Sequence, residues 1–191
     1  MSVFGYVGKV LHIDLGSEQF EIKDIELDSA MAYLGGLGLN ALLMKQAYVR
    51  GTDPLSPDNP IILGSGPLVG TGCPGAAKII ATTRFPLNGT VSESVGSMRF
   101  ALNLKGAGFD HMIITGRAKR PVVISLDNDE AHLLDATDLW GLDIFETTDA
   151  LKKSHIGSKP SVIAIGPSGE NRVVFSMALV DKAATLSLIH I

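Results

Sequence analysis

Cysteine is nearly absent: Cys73 is the only one in 191 residues. This chain alone therefore builds no intramolecular disulfide and no cysteine-ligated metal cluster. A strong excess of either sign of charge is missing too. The formal net charge is −4 and no Lys/Arg cluster forms a stripe, which leaves nucleic-acid binding without an electrostatic footprint. No apolar run approaches the roughly 18 residues that cross a bilayer. Met1-Ser2-Val3-Phe4-Gly5 lacks the basic and apolar segments of a signal peptide. The G-x-S-x-G of a serine hydrolase is missing. His12, His111, His132, His155 and His190 are scattered, with no pair at ligand spacing, and each reads as an ordinary strand or surface residue. These absences describe a cytoplasmic, soluble domain with no nucleic-acid or membrane partner. Apolar residues at 46% and charged residues at 19% suffice for the core of one substantial domain or two small ones.

Glycine, by contrast, is abundant. Gly64–Gly75 holds five glycines and two prolines in twelve residues, with Lys78 close behind. Such a loop either connects two buried strands tightly or turns several backbone N–H groups toward an anion such as a phosphate. A second glycine cluster, Gly36-Leu37-Gly38-Leu39-Asn40-Ala41, matches G-x-G-x-x-A. The dinucleotide fingerprint follows a parallel strand, whereas Asp28–Leu34 looks helical, so close helix packing is the better reading.

Along the chain, Val7–Asp14 and the alternating Phe20–Lys23 predict a β-hairpin whose second strand is half-buried. Asp28 or Ser29 is placed to cap a helix with apolar positions from Met31 to Met44; Gly35, Gly36 and Gly38 interrupt it, and the alternative is a turn there with the helix beginning at Gly38. Strands are expected at Ile61–Leu63, Lys78–Thr83 and Thr90–Ser94, with a small-residue turn at Val95-Gly96-Ser97 and then a helix from Met98 to Lys105. His111–Thr115, Val122–Leu126 and Ala131–Leu134 read as a three-stranded meander. Asp143 and Glu146 form a capping box, and Ser161–Ile165 and Val173–Met177 read as the last strands. Glu93, Asp110 and Cys73 adjoin turns as capping, surface or packing groups. The sum is an α+β domain on mostly antiparallel sheet, with about three helices.

Seven segments taken together resemble the N-terminal domain of the aldehyde ferredoxin oxidoreductase family, the tungsten- or molybdenum-pterin enzymes. They are Gly5–Leu11 with Asp14-Leu15, Leu34–Leu39, Asp53–Asn59, Gly66–Gly72, Leu104–Asp110, Leu139–Gly141 and Ile165–Asn171. The resemblance spans residues 3 to about 185. It implies two packed, mostly antiparallel β-sheets forming a base for a tungsten- or molybdenum-bis-pterin whose phosphates are linked by magnesium. It also implies oxidation of an aldehyde to a carboxylic acid, with electrons passing through a [4Fe-4S] cluster to ferredoxin.

Residue by residue, the family's basic cofactor contact falls on Lys78, where Arg is usual. Its Asn-Ser-Gly-Gly turn falls on Val95, Gly96, Ser97 and Met98. Its Arg-Ala-Ala-Gly-Arg segment falls on Lys182, Ala183, Ala184, Thr185 and Leu186. Leu37 stands where Arg is common. Lysine keeps the charge but not arginine's bidentate fork. The family's cluster cysteines, further pterin motifs and acid/base residues lie in later domains, so no catalytic residue or metal ligand is assigned here.

Residues 1–186 are therefore expected to be a metal-pterin-cradling N-terminal domain, inactive alone, whose partners are the missing C-terminal domains and ferredoxin; a homodimer is left open. Residues 187–191 are expected to be a non-native or truncated tail. The alternative is a stand-alone binding module for a pterin or other phosphorylated ligand.

Overall fold

The computed structural model describes residues 5–154 and 159–186. The expected tail at 187–191, together with His155 and His190, lies outside the described residues.

The opening hairpin forms as its alternation predicts, with β1 (Lys9–Asp14) antiparallel to β2 (Gln19–Asp24). With β3 (Ile61–Ser65), β4 (Ile79–Arg84), β5 (Val91–Gly96) and β6 (His111–Thr115), they make one six-stranded sheet ordered β2-β1-β6-β3-β4-β5. Only β1 and β6 run parallel. Contrary to expectation, β2 is not half-buried. It is an outer edge and every residue in it is exposed. Nor is β6 the start of a meander: it lies between β1 and β3, with His111–Ile114 buried. An apolar strand buried on both faces belongs inside a sheet.

Side-chain alternation divides the interior between the two faces of this sheet. Leu11, Ile13, Leu63, Ile79, Ala81, Met112 and Ile114 point to one face, and Val10, Ile62 and Ile113 to the other, beside Met44. The second face is covered by α2 (Leu37–Ala47), against which α1 (Leu27–Tyr33) packs. Gly35 and Gly36 turn the chain at positive φ, and α2 begins at Leu37, one residue before the start that the glycine interruption predicts. Also contrary to expectation, α1 begins at Leu27 with no side-chain cap from Asp28 or Ser29.

The first face receives α3 (Phe100–Gly106), a separate hairpin of β7 (Val122–Asp127) with β8 (Glu130–Asp135), and a small sheet. That sheet comprises β9 (Ile163–Ala164), β10 (Ala178–Val180) and β11 (Ala184–Leu186), in the order β11-β10-β9. The strand expected at Val173–Met177 is instead a turn, Ser176 N–H donating to Val173 O at 2.9 Å. The expected capping box does form at the start of α4 (Ile144–Ser154): Glu146 N–H donates to Asp143 Oδ1 at 2.8 Å, and Asp143 N–H to Glu146 Oε2 at 3.2 Å. A one-turn α5 (Pro167–Glu170) completes five α-helices among the described residues. The α+β class holds.

Candidate functional site

The glycine loop is held firmly at its root. Ser65 donates through both N–H and Oγ to Asp110 O, at 2.9 and 3.0 Å, and Ser65 O accepts Gly36 N–H at 2.9 Å. Val69 is tucked into the core while its neighbours from Leu68 to Gly75 are exposed. The amides of Gly70, Gly72, Cys73 and Gly75 donate to no acceptor among the described residues. They are free for solvent or an anion. On the far side of Val69–Thr71 an open groove of about 360 Å³ runs to Gly5–Val7 and the end of α3.

Lys78 closes the loop. Because Ile79 pairs with Gly96 across β4 and β5, Lys78 faces Ser97, and its Nζ donates to Ser97 Oγ at 2.6 Å. Val95 and Gly96 are the last two residues of β5 rather than part of a turn, since their pairing with Ile80 and Ile79 continues the ladder. The turn begins at Ser97 and passes through Met98 at positive φ. Gly96 is where the small sheet comes closest: a Cβ there would lie 3.0 Å from Leu186 Cδ2 and 3.1 Å from Val180 Cγ2. That approach sets β11, and with it Ala184 and Thr185, beside β5.

Lys182 and Ala183 lie in the β10–β11 turn, where Ala183 N–H donates to Val180 O at 3.0 Å. The Lys182 ammonium is directed at α4. It lies 2.5 Å from Asp149 Oδ1 and 5.7 Å from the centre of the Phe145 ring. The Lys182 hydrogen bond holds the Asp149 carboxyl below its ordinary range. Next to it, burial pushes the Asp181 carboxyl up, but hydrogen bonds from Lys152, Ser161 and the Val162 amide outweigh this and leave it low. The fold thus joins Lys78 directly to Ser97 and Gly96 directly to Leu186, while Lys182 is spent on α4.

Two buried polar clusters under the loop escaped the sequence reading. Asp110, expected as a capping or surface group, is buried. Its Oδ2 accepts the amides of Val7 (2.9 Å) and Gly8 (2.7 Å), and Lys105 Nζ lies 3.3 Å from Oδ1. Lys105 also donates to Gly5 O. His111, fully buried in β6, meets Asn40 Oδ1 through Nδ1 at 2.8 Å. Asn40 Nδ2 donates to Ile80 O at 2.9 Å and Thr82 Oγ1 at 3.1 Å, so the His111 proton is assigned to Nδ1. Nε2 has no partner. Burial, then the Lys105 charge, lowers the His111 pKa to about 4. Gly64 is obligatory above this pair, since a Cβ would lie 2.1 Å from Asn40 Oδ1. An Asn in an apolar helix and a His opening an apolar strand were the available signals.

The G-x-G-x-x-A stretch follows α1, so the strand–turn–helix context of a dinucleotide site is absent there. No cluster of three or more His, Cys, Asp or Glu arranged for a metal ion occurs among the described residues. No described helix is long and apolar enough to cross a membrane.

Comparison with known proteins identifies the family to which this fold belongs. Residues 10–187 match the family model described as "Aldehyde ferredoxin oxidoreductase, N-terminal domain". The tungsten-containing aldehyde ferredoxin oxidoreductase of Pyrococcus furiosus is 30% identical over 179 residues, 94% of this chain and 30% of that protein. The enzyme of the same description from Thermococcus kodakarensis is 31% identical over the same shares. The WOR-like subunit of the Pyrococcus furiosus aliphatic sulfonate oxidoreductase is 35% identical, covering 91% of this chain and 30% of that one. Among solved structures, the active-site complex BamBC of benzoyl coenzyme A reductase superposes with a TM-score of 0.91 at 31% identity, over 95% of this chain and 28% of that chain. The chain thus spans about 30% of the length of the curated relatives it matches, and across that span it belongs to the aldehyde ferredoxin oxidoreductase family, matching its N-terminal domain.

Proposed function

We propose that this chain is the cofactor-cradling part of a tungsten or molybdenum bis-pterin oxidoreductase, and that the whole protein oxidises an aldehyde to a carboxylic acid with ferredoxin as acceptor. The observation that carries the reading is the 2.6 Å contact between Lys78 Nζ and Ser97 Oγ beside a loop of unpaired, solvent-facing amides. A pterin dithiolene bears phosphate. Amides, a hydroxyl and an ammonium are the donors that bind phosphate, so the donor set fits.

In this reading Lys78 neutralises phosphate charge. Ser97 orients the ammonium, and the amides of Gly70, Gly72, Cys73 and Gly75 supply further donors. Gly96 lets β11 approach, so that Ala184 and Thr185 form a second wall. Lys182 acts indirectly, through its pair with Asp149, by fixing the turn that presents Ala183 to Thr185. Arg99, exposed two residues after Ser97, is a further cation at this rim. The bound metal-pterin group supplies the redox chemistry. In this reading magnesium belongs with the cofactor's phosphates, whereas the ligands of the [4Fe-4S] cluster and the acid/base residues belong to the part of the relatives' length that this chain does not span.

The test is metal and pterin content of a protein spanning the relatives' full length, produced with tungstate or molybdate. Loss of a charge-assisted hydrogen bond weakens binding by about tenfold or more. Lys78→Ala is therefore expected to lower retained metal and pterin together, and Lys78→Arg to preserve both. Equal content in wild type and Lys78→Ala would remove Lys78 from the seat. Absence of both metal and pterin from the wild type would end the cofactor reading.

A further inference from the structure

One buried carboxylate holds both walls of the open groove beside the glycine loop. Asp110 is 1% exposed. Its side chain fixes one wall: Oδ2 accepts the amides of Val7 and Gly8, in the segment that brings Gly5–Val7 to the groove. Its backbone fixes the other. The Asp110 carbonyl accepts both donors of Ser65, the last residue of β3, from which the chain runs on to Val69–Thr71. Lys105, which also lines the groove, donates to Gly5 O and sets its Nζ 3.3 Å from Asp110 Oδ1. The two walls then meet. A Cβ at Gly5 would lie 2.6 Å from Pro67 O. Tyr6 donates to the carbonyl of Leu34, two residues before the Gly36 whose N–H Ser65 O accepts. Both charged side chains are buried by residues of this chain, so their contacts stand whatever the rest of a full-length protein covers.

We propose that Asp110 and Lys105 are positioning residues for the glycine loop. The pair presses Gly5–Gly8 against Pro67 and anchors Ser65, and so sets where the free amides of Gly70, Gly72, Cys73 and Gly75 stand. That those amides receive cofactor phosphate rests on the function proposed above; that the pair positions them does not. A buried ion pair is a poor source of net stability, because desolvation offsets the attraction. What it supplies here is direction. One carboxylate accepts several donors at once, and each bond to a charged acceptor is stronger than its neutral counterpart. Oδ1 receives no hydrogen bond among the described residues, so the Lys105 charge is what balances it.

The atoms specify what each substitution does. In Asp110→Asn one oxygen still accepts the Val7 and Gly8 amides, but an NH2 group then faces the Lys105 ammonium, donor against donor. The wall at Gly5–Gly8 is pushed from its place although no volume is lost. Lys105→Met, with a side chain of the same length, removes the ammonium and leaves both amides their acceptor; the carboxylate loses its counter-charge. Combining the two removes the clash of donors, so the double variant is expected to disturb the loop less than Asp110→Asn alone.

Hydrogen-exchange mass spectrometry of a protein spanning the relatives' full length, made without tungstate or molybdate, tests this, with circular dichroism as the folding control. Asp110→Asn is expected to speed exchange at Val7, Gly8, Ser65 and Val69 about tenfold or more. Exchange within β4 and β6 is expected to stay as in wild type, which a role in overall stability alone would not allow. Lys105→Met is expected to give the same pattern with a smaller rise, and it carries the comparison should Asp110→Asn fail to fold. Acceleration spread evenly over β4, β6 and the loop, a loop that exchanges as in wild type, or a double variant no milder than Asp110→Asn would each overturn the assignment. In the same proteins made with tungstate or molybdate, metal and pterin content is expected to fall in step with loop exchange. Content equal to wild type in Asp110→Asn would remove the pair from the cofactor seat. The exchange measurement needs no cofactor, so it decides the positioning even where a wild type empty of metal and pterin has ended the reading above.

Discussion

His111 shows how far one residue's chemistry departs from its local sequence. Opening the run His111–Ile114 it reads as an ordinary strand residue, yet it is fully buried and neutral, with Nδ1 held by Asn40. Its pKa falls from 6.5 to about 4. Between those values the unfolded chain binds a proton that the folded chain refuses. Stability contributed here is therefore full above the unfolded pKa and is lost as pH falls through the window, by about 3 kcal/mol in all. Urea midpoints measured from pH 7 to 4 should fall less steeply for His111→Gln than for wild type. Equal slopes would show that His111 is protonated in the fold. Neither this pair nor the Asp110–Lys105 cluster was legible in the sequence. Asn40 is 71 residues from His111, and Val7 is 103 residues from the carboxylate that holds its amide. Lys78, by contrast, was legible, because its position after a glycine loop is a local fact.

At the level of elements, a strand was recognisable where β-branched and apolar residues cluster, as in β1, or where turn chemistry frames it, as in β7 and β8. Its neighbours were not. β6 reads like the first arm of a meander, and only burial on both faces reveals an interior strand. Val173–Met177 has strand composition, but Val174, Phe175 and Met177 are exposed, and the pairing strand is displaced to Ala178–Val180. Val95-Gly96 reads as a turn because glycine is a turn former; it is a strand end because glycine also admits close approach. Gly96→Ala tests that distinction. Leu186 and Val180 would have to yield by a few tenths of an ångström, an overpacking that costs about 1–3 kcal/mol. A fall in Tm of roughly 2–4 °C per kcal/mol is expected by thermal unfolding. An unchanged Tm would mean that β11 is not pressed against β5.

For the whole molecule, the α+β class followed from element types, while the layering depended on partners far apart in sequence. The six-stranded sheet is covered on both faces, but its strands are not equally secured. Backbone exchange tracks local opening free energy. Amides of β3 and β6, flanked by strands on both sides, should exchange most slowly, and those of β2 and the detached β7–β8 hairpin sooner. Hydrogen-exchange mass spectrometry giving β7–β8 the protection of β6 would contradict that ranking. The parallel contact of β1 with β6 also has a consequence for synthesis. Val10 pairs with His111, so the first strand leaves the ribosome without its inner neighbour. At about 5–20 residues per second, the nascent hairpin waits on the order of 5–20 s with Leu11 and Ile13 uncovered, an interval in which a chaperone that grips short apolar strands has its best opportunity to bind.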